Sequence, residues 1–433
     1  MFLLIKKFKH KLDTQGGFLK SVSVLAGGTA FAQIIAVIVL PIITRLYSPE
    51  DFALFAVYAS ILSILAVAIC LRFEIAIPLP EKDEDALSLV ILALLSNVGL
   101  TLLIAVSILL FQDSILDIIK QPQLAPFIWF IPIGVFFAGL YNALQYWTTR
   151  KKQFTTIAKT RMTQSIASSS VQIGSGAFSF GAFGLILGHV INSSTGIIRL
   201  FISFRKETKE LLNTISIPKL KKNWKRYDKF PKYSTFESLA NVGAMQLPVI
   251  IIAAVALGPE AGYLMLAMKV MAIPMSLIGG AMAQVYLAHA PEYYNRGSLR
   301  EYTVQTIKQI AKIAVIPIIS IGVVAPFIFP VVFGESWVKA GYMVLWMIPW
   351  FVMQILSSPV SMSLHITGNQ RIALMLQIAG LIIRVGFLSL ISMFYSEWVF
   401  EYYAISGFIF YTLYLIIILM ILRHNSQIYS KYS

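Results

Sequence analysis

Apolar residues dominate this chain in long runs, and clusters of polar residues separate one run from the next. Each run holds about 20 residues, which at the α-helical rise of 1.5 Å matches the ~30 Å hydrocarbon core of a bilayer. The runs lie at approximately 20–44, 52–71, 86–111, 126–149, 158–180, 182–203, 232–257, 262–288, 306–333, 340–364, 372–394 and 399–422. This pattern predicts an all-α integral membrane protein with about twelve transmembrane helices. One polar stretch, Arg205 to Lys229, parts six runs from six, so two six-helix lobes around a central cavity are expected. The expected boundaries are an N-terminal segment 1–19, an N-lobe 20–203, a basic linker 204–231, a C-lobe 232–423 and a tail 424–433. Leu220 and Trp224 interleave with the linker's charges as in an amphipathic surface segment, but a solvated loop is the favoured expectation.

Composition agrees with the pattern. Hydrophobic residues make up 58% of the chain and the mean hydropathy is +0.76, beyond what a soluble domain carries. The net charge of +15 is first a topology signal, because short loops rich in Lys and Arg stay cytoplasmic. Lys6, Lys7, Lys9, Lys11 and Lys20, then Arg150, Lys151, Lys152, Lys159 and Arg161, then the stretch from Arg199 to Lys232 mark inner segments. Arg45, Lys120 and Lys339 are the few cations in outer loops, the longest of which is expected from Phe111 to Ala125. Arg423 and Lys431 then put both termini in the cytoplasm. The charge also attracts anionic lipid and calls for no nucleic-acid partner. Residues 20–44 read as a retained first helix rather than a cleaved signal. The lone Cys70 reads as a small buried apolar residue.

The halves share a faint repeat. Ser48-Pro49-Glu50-Asp51-Phe52-Ala53-Leu54 resembles Gly258-Pro259-Glu260-Ala261-Gly262-Tyr263-Leu264 in position and order, and Pro then Glu opens a helix in both. Pro41 and Pro248 occupy corresponding places upstream, and with Pro274 and Gly279 they are candidate bending points.

No Walker-type loop, His-Glu-x-x-His or paired-Cys motif is present, so no enzyme, cofactor or metal centre is expected. Chemistry is left to polar groups inside helices, which lipid cannot satisfy. Gln33, Asn97, Asn142, Gln145, Gln164, Gln172, His189 and Asn192 qualify in the first half, and Glu237, Asn241, Gln246, Gln284, Gln354 and Gln377 in the second. Any one of them serves interhelical contact more often than ligand binding; together they suit a hydrated lumen for sugar hydroxyls. Arg384 falls about 12 residues into its run, roughly 18 Å deep at the helical rise. A cation at that depth costs ~2.5–3.5 kcal/mol and is tolerated facing protein or water. Arg384 is read as an anion contact, with Lys269 and Arg45 as further cationic candidates beside Gln33, Asn142, Asn241, Gln246 and Gln284. Lys269 also reads as a side chain that snorkels outward, and Arg45 as an interfacial anchor. Arg72, Glu74 and Glu237 are gate or coupling candidates. Arg72 and Glu74 stand two apart and would not face each other in a regular helix, and Glu237 has Lys232 within ion-pair reach.

At these residues a family resemblance enters. Gly28-Thr29 with Gln33, then Pro41-Ile42-Ile43-Thr44-Arg45-Leu46-Tyr47-Ser48-Pro49-Glu50-Asp51-Phe52, Leu71-Arg72-Phe73-Glu74 and Ala76-Ile77 resemble the opening of the bacterial polysaccharide transporters, the O-antigen type flippases. Ala261-Gly262-Tyr263 with Pro274, Ser276-Leu277-Ile278-Gly279 and Gln284-Val285 is similar to their eighth-helix region. The resemblance implies the superfamily that also holds multidrug and toxin extrusion antiporters and lipid II flippases. It implies a protein of the bacterial inner membrane that moves isoprenyl-pyrophosphate-linked oligosaccharide from inner to outer leaflet, for lipopolysaccharide or a related surface polymer. A polysaccharide polymerase is an implied partner. A cation-coupled drug antiporter is the alternative, against which the shortage of mid-helix Asp and Glu counts. A polymerase or ligase of lipid-linked glycans would be expected to carry a large outer loop.

Overall fold

Helix starts are written plainly in the chemistry of this chain. Ser48 and Asp51 cap one helix reciprocally, Ser48 N–H donating to Asp51 Oδ2 at 3.0 Å and Asp51 N–H to Ser48 Oγ at 3.2 Å. Asp83, Glu84 and Asp85 crowd the first turn of another, where the macrodipole favours negative charge. The computed structural model describes residues 18–256, 258–392, 394 and 398–432. The expectations for residues 1–17 and for Ser433 lie outside these residues.

Twelve long helices follow one another: α1 (Phe18–Leu46), α2 (Pro49–Ala68), α3 (Asp83–Ile119), α4 (Phe130–Arg150), α5 (Phe154–Ala177), α6 (Ala182–Thr208), α7 (Phe230–Ala256), α8 (Glu260–Asn295), α9 (Leu299–Phe333), α10 (Glu335–Ile366), α11 (Arg371–Ser392) and α12 (Val399–Tyr432). The described residues contain no strand. Ten of the helices are long and apolar enough to cross a membrane. The other two, α4 and α5, have the length, with 21 and 24 residues. Polar side chains such as Lys159, Arg161, Gln164 and Gln172 thin the apolar content of α5.

Two sequence expectations need correction. The outer loop expected from Phe111 to Ala125 is largely helix: α3 bends at Phe111 (φ −130°, ψ 25°) and continues to Ile119. Gln112, Asp113 and Ser114 are polar but helix-compatible, so polarity alone misplaced the boundary. The stretch expected as a solvated loop, Arg205 to Lys229, contains an amphipathic helix, Ile217–Arg226, folded against the start of α3. Lys219 Nζ lies 2.5 Å from Glu84 Oε2, Asn223 donates to Asp85 Oδ1 at 3.2 Å, and the Trp224 ring stands 5.0 Å from that of Phe73. Asp83 is held by Lys151 Nζ at 2.5 Å and Arg150 Nη2 at 3.0 Å. The acidic triplet thus collects three separate sets of donors.

The chain divides into two compact units, one running to Tyr47 and then Ile61–Leu239, the other Ser48–Ser60 with Ala240 onward. In the first unit, polar side chains join helices, Asn97 and Asn192 among those expected inside helices and Arg161 from the cations read as an inner segment. Asn97 Nδ2 donates to Phe136 O at 3.0 Å, Asn192 Nδ2 to Gln164 O at 3.4 Å, and Arg161 Nη1 to Thr29 Oγ1 at 2.6 Å. In the second unit, the start of α2 packs on the start of α8, the two segments that resemble each other in sequence. Gly262 meets the backbone of Pro49 and Ala53, and Phe52 and Tyr263 both set their rings edge-on to Trp337, with centroids 4.8 and 5.9 Å away.

A Cβ at Gly262 would strike Pro49 O and lie 2.9 Å from Ala53 N, and neither backbone atom can step aside cheaply. Gly262→Ala is expected to cost ~1–3 kcal/mol, the usual penalty of overpacking. Gly99→Ala in α3, where nothing lies within 4 Å, is expected to leave stability unchanged or slightly raised. Thermal unfolding midpoints of the two purified variants check this.

Candidate functional site

A short π turn, Ile382–Gly386, interrupts α11 and carries Arg384. Such turns cluster at functional positions because they re-aim one side chain out of the regular helical register. Arg384 is only 2% exposed and belongs to none of the ion pairs among the described residues. Aromatic rings surround it. The guanidinium carbon lies 4.9 Å from the ring centroid of Trp350 and 5.1 Å from those of Phe410 and Tyr411. Trp350 sits close because Gly407 of α12 presents bare backbone to its indole; a Cβ there would collide with the ring.

The cage satisfies the charge and not the hydrogen bonds. Each cation–π contact contributes ~0.5–2 kcal/mol, so three together rival the cost of placing an arginine at membrane depth. Arg384 Nε and Nη2 nevertheless have no hydrogen-bond partner, and neither do Trp350 Nε1, Tyr403 OH and Gln354 Oε1. All four residues line one cavity of about 480 Å³, within the ~300–1,000 Å³ range of small-molecule sites. Each buried polar atom left unmade costs ~1–3 kcal/mol. Four of the five atoms can donate. A guest rich in acceptors, an anion above all, would match this set of donors. A second π turn, Met275–Gly279 in α8, contributes Met275, Ser276 and Gly279 to the same wall.

The structure does not gather the other sequence candidates here. Lys269 is exposed on α8, its ammonium 5.8 and 5.4 Å from the ring centroids of Phe52 and Phe55, and it does not line this cavity. Gln246 accepts a hydrogen bond from Ser60 Oγ at 3.0 Å and so joins helices. Arg45, Gln33, Asn241 and Gln284 are exposed and Asn142 is half-buried on α4; no cavity described here includes them. Glu237 is exposed, and Lys232, expected within its reach, pairs with Asp228 at 2.5 Å. Sequence reasoning missed Trp350, Tyr403, Phe410 and Tyr411 as partners of Arg384. Tyr403, Gly407, Phe410, Tyr411 and Tyr414 recur at helical spacing, a one-faced stripe that was there to be read.

Arg72 and Glu74 do face each other, against expectation. Leu71 and Arg72 both adopt left-handed backbone (φ 49° and 60°), which breaks the helix and brings Arg72 Nη1 to 3.6 Å from Glu74 Oε1. Two adjacent non-glycine residues in that region store strain. Glu74 is buried, lies between the membrane helices α2 and α3, and leaves Oε2 without a partner. Burial pushes its carboxyl up to about 7, against the lowering pull of its own backbone hydrogen bond and of Arg72. The same burial, with the Glu74 charge, raises the Cys70 thiol.

Two outcomes follow. Because the folded chain holds the Glu74 proton more tightly than the unfolded chain, the stability this group contributes is complete below its ordinary pKa near 4.5 and is lost as pH rises to about 7. Glu74→Gln should remove that fall, so wild-type and variant unfolding midpoints diverge between pH 5 and 8 with the variant the flatter. Arg384→Met should keep or raise the unfolding midpoint, since an apolar side chain of similar volume removes the two unpartnered donors of Arg384 itself. A large drop would instead mark Arg384 as a structural prop.

Comparison with known proteins places the chain. No curated protein sequence matches it significantly. The lipid II flippase MurJ in an inward closed conformation superposes with a TM-score of 0.69 at 13% identity, over 93% of this chain and 90% of that one. An inward-facing multidrug resistance MATE transporter of the MOP superfamily superposes with a TM-score of 0.68 at 17% identity, over 93% and 96%. A MOP superfamily transporter from Pyrococcus furiosus, described as having a binding pocket of reverse polarity, gives 0.51 at 16%, over 94% and 93%. At such identities these likenesses show the fold. Residues 42–341 match the family model for polysaccharide biosynthesis proteins, well over half of the sequence, and the chain belongs to that family.

Proposed function

We propose that this membrane protein translocates isoprenyl-pyrophosphate-linked oligosaccharide from the inner to the outer leaflet of the bacterial cytoplasmic membrane, supplying assembly of a surface polysaccharide of O-antigen or related type. The observation that carries the reading is Arg384, buried, in no ion pair among the described residues, with two N–H groups that lack partners, in the lining of a cavity whose other residues also carry unpartnered donors. A pyrophosphate offers acceptors in the number and charge that this set lacks, and the forked guanidinium suits phosphate oxygens. The glycan's hydroxyls find Gln354 and the serine hydroxyls of the same wall, while the isoprenyl tail stays in lipid.

Family membership supports the glycan, and the fold supports movement across the bilayer, since relatives of the same architecture are described as a flippase and as transporters. Exposing the cavity first to one side and then to the other would carry the head group across with no covalent step by the protein. Both termini lie in the cytoplasm on this reading, with Arg150, Lys151 and the helix Ile217–Arg226 at the inner face. The polymerase that consumes the exported unit is the natural partner.

The test is export in cells. Arg384→Ala should cut the delivery of lipid-linked oligosaccharide to the outer leaflet, read by an external glycosidase, by at least about tenfold, the loss expected when charge-assisted hydrogen bonds of ~1.5–3 kcal/mol disappear. Protein abundance should not change, and Arg384→Lys should recover part of the delivery. Undiminished export in Arg384→Ala would sink the proposal.

A further inference from the structure

The second unit holds another cavity, of about 560 Å³, whose chemistry is opposite in sign. It is formed by the last turn of α7, the first turns of α8 and α12, and residues 339–346 of α10. That is the end of the unit away from Arg296, Arg300, Lys308, Arg371 and Arg423.

Three features of the lining are unusual together. Tyr342 and Trp346 stand four residues apart on one face of α10 and remain 53% and 49% exposed. Aromatic residues at helix ends ordinarily anchor in the membrane interface; these two face a concavity. Next, Lys339 Nζ lies 2.7 Å from Glu260 Oε1 and 5.9 Å from the Tyr263 ring centroid, so its charge is already matched. Finally, Glu401 keeps Oε2 buried without a hydrogen-bond partner. A carboxylate in that state accepts strongly and donates nothing.

We infer that this cavity is a binding site for a neutral or N-acetylated sugar residue. A pyranose ring has one apolar C–H face and an edge of hydroxyl donors. The C–H face stacks on the electron-rich faces of Trp346 and Tyr342, and the hydroxyls donate to Glu401 and Glu260. Lys339 and Glu260 cancel each other and Glu401 remains, so the site carries one formal negative charge and disfavours acidic sugars. Arg384 and this cavity would thus sort the two chemical ends of a glycolipid head group, phosphate in one and sugar in the other. The inference takes its choice of ligand from the glycan reading above, but it does not depend on transport.

The experiment is saturation-transfer difference NMR on the full-length protein in nanodiscs, with glucose, N-acetylglucosamine and glucuronate as probes. Saturation of the C–H protons of glucose or N-acetylglucosamine is expected, with glucuronate weaker. Apparent affinity should fall about tenfold in Glu401→Gln, as expected for a hydrogen bond to a charged group. The signal should vanish in Trp346→Ala, return in Trp346→Phe, and persist in Trp224→Phe. No transfer to either sugar in the wild-type protein would overturn the inference. So would transfer unchanged in both Trp346→Ala and Glu401→Gln, or a Trp346-dependent response to tetraphenylphosphonium with none to sugars. Sugar binding is read without export, so its failure leaves the Arg384 reading intact, and failure of export leaves sugar binding intact.

Discussion

The constraint on which the second unit turns is the desolvation of a single guanidinium. Moving a charge out of water costs several kcal/mol, and proteins usually recover it with a carboxylate. Here rings take that place: Trp350, Phe410 and Tyr411 stabilise the charge of Arg384 through their faces, and its Nε and Nη2 keep no hydrogen-bond partner. A carboxylate partner would have neutralised the site and filled its donors at once. An aromatic cage holds the cation in place and leaves two of its N–H groups without partners.

Much of this was legible in the chain. Run lengths point to the class and to about twelve helices, and the depth of Arg384 in its run singles it out. The ring residues around it were not legible as partners, because Trp, Tyr and Phe are ordinary in membrane helices and their significance depends on which face of α12 meets α10. Helix geometry failed at Arg72 and Glu74 for a different reason. The two-residue spacing rules out contact only while the backbone stays helical, and the left-handed turn at Leu71 and Arg72 removes that condition. The linker was misjudged because its charges read as solvated, whereas Lys219 and Asn223 have partners 135 and 138 residues away in sequence. Long-range charge pairing has no local signature.

The second unit contains two cavities of opposite character within one helical framework, one rich in donors around a cation, the other built from exposed rings and carboxylates. The same helices, α10 and α12, contribute to both: Trp350 and Tyr403 to the first, Trp346 and Glu401 to the second. Residues 346 and 350 are about one turn apart, and 401 and 403 about half a turn. A rotation or slide of either helix would therefore move residues of both cavities.

Covalent order and packing disagree at one place. Ser48–Ser60, which hold the first three-fifths of α2, belong with the second unit although 179 residues separate them from its remainder, and the rest of α2 belongs with the first. Phe52 beneath Trp337 and Pro49 against Gly262 show how closely the borrowed segment is fitted. The halves are therefore not modules in the genetic sense. A gene cut in the basic stretch before α7 would yield a second fragment missing part of its own interior, and recombination between relatives at that point would exchange mismatched parts. The two helix starts that resemble each other in sequence, at Pro49 and Pro259, thus lie in one unit and pack on each other, so the resemblance and the fragment boundary cut the chain in different places.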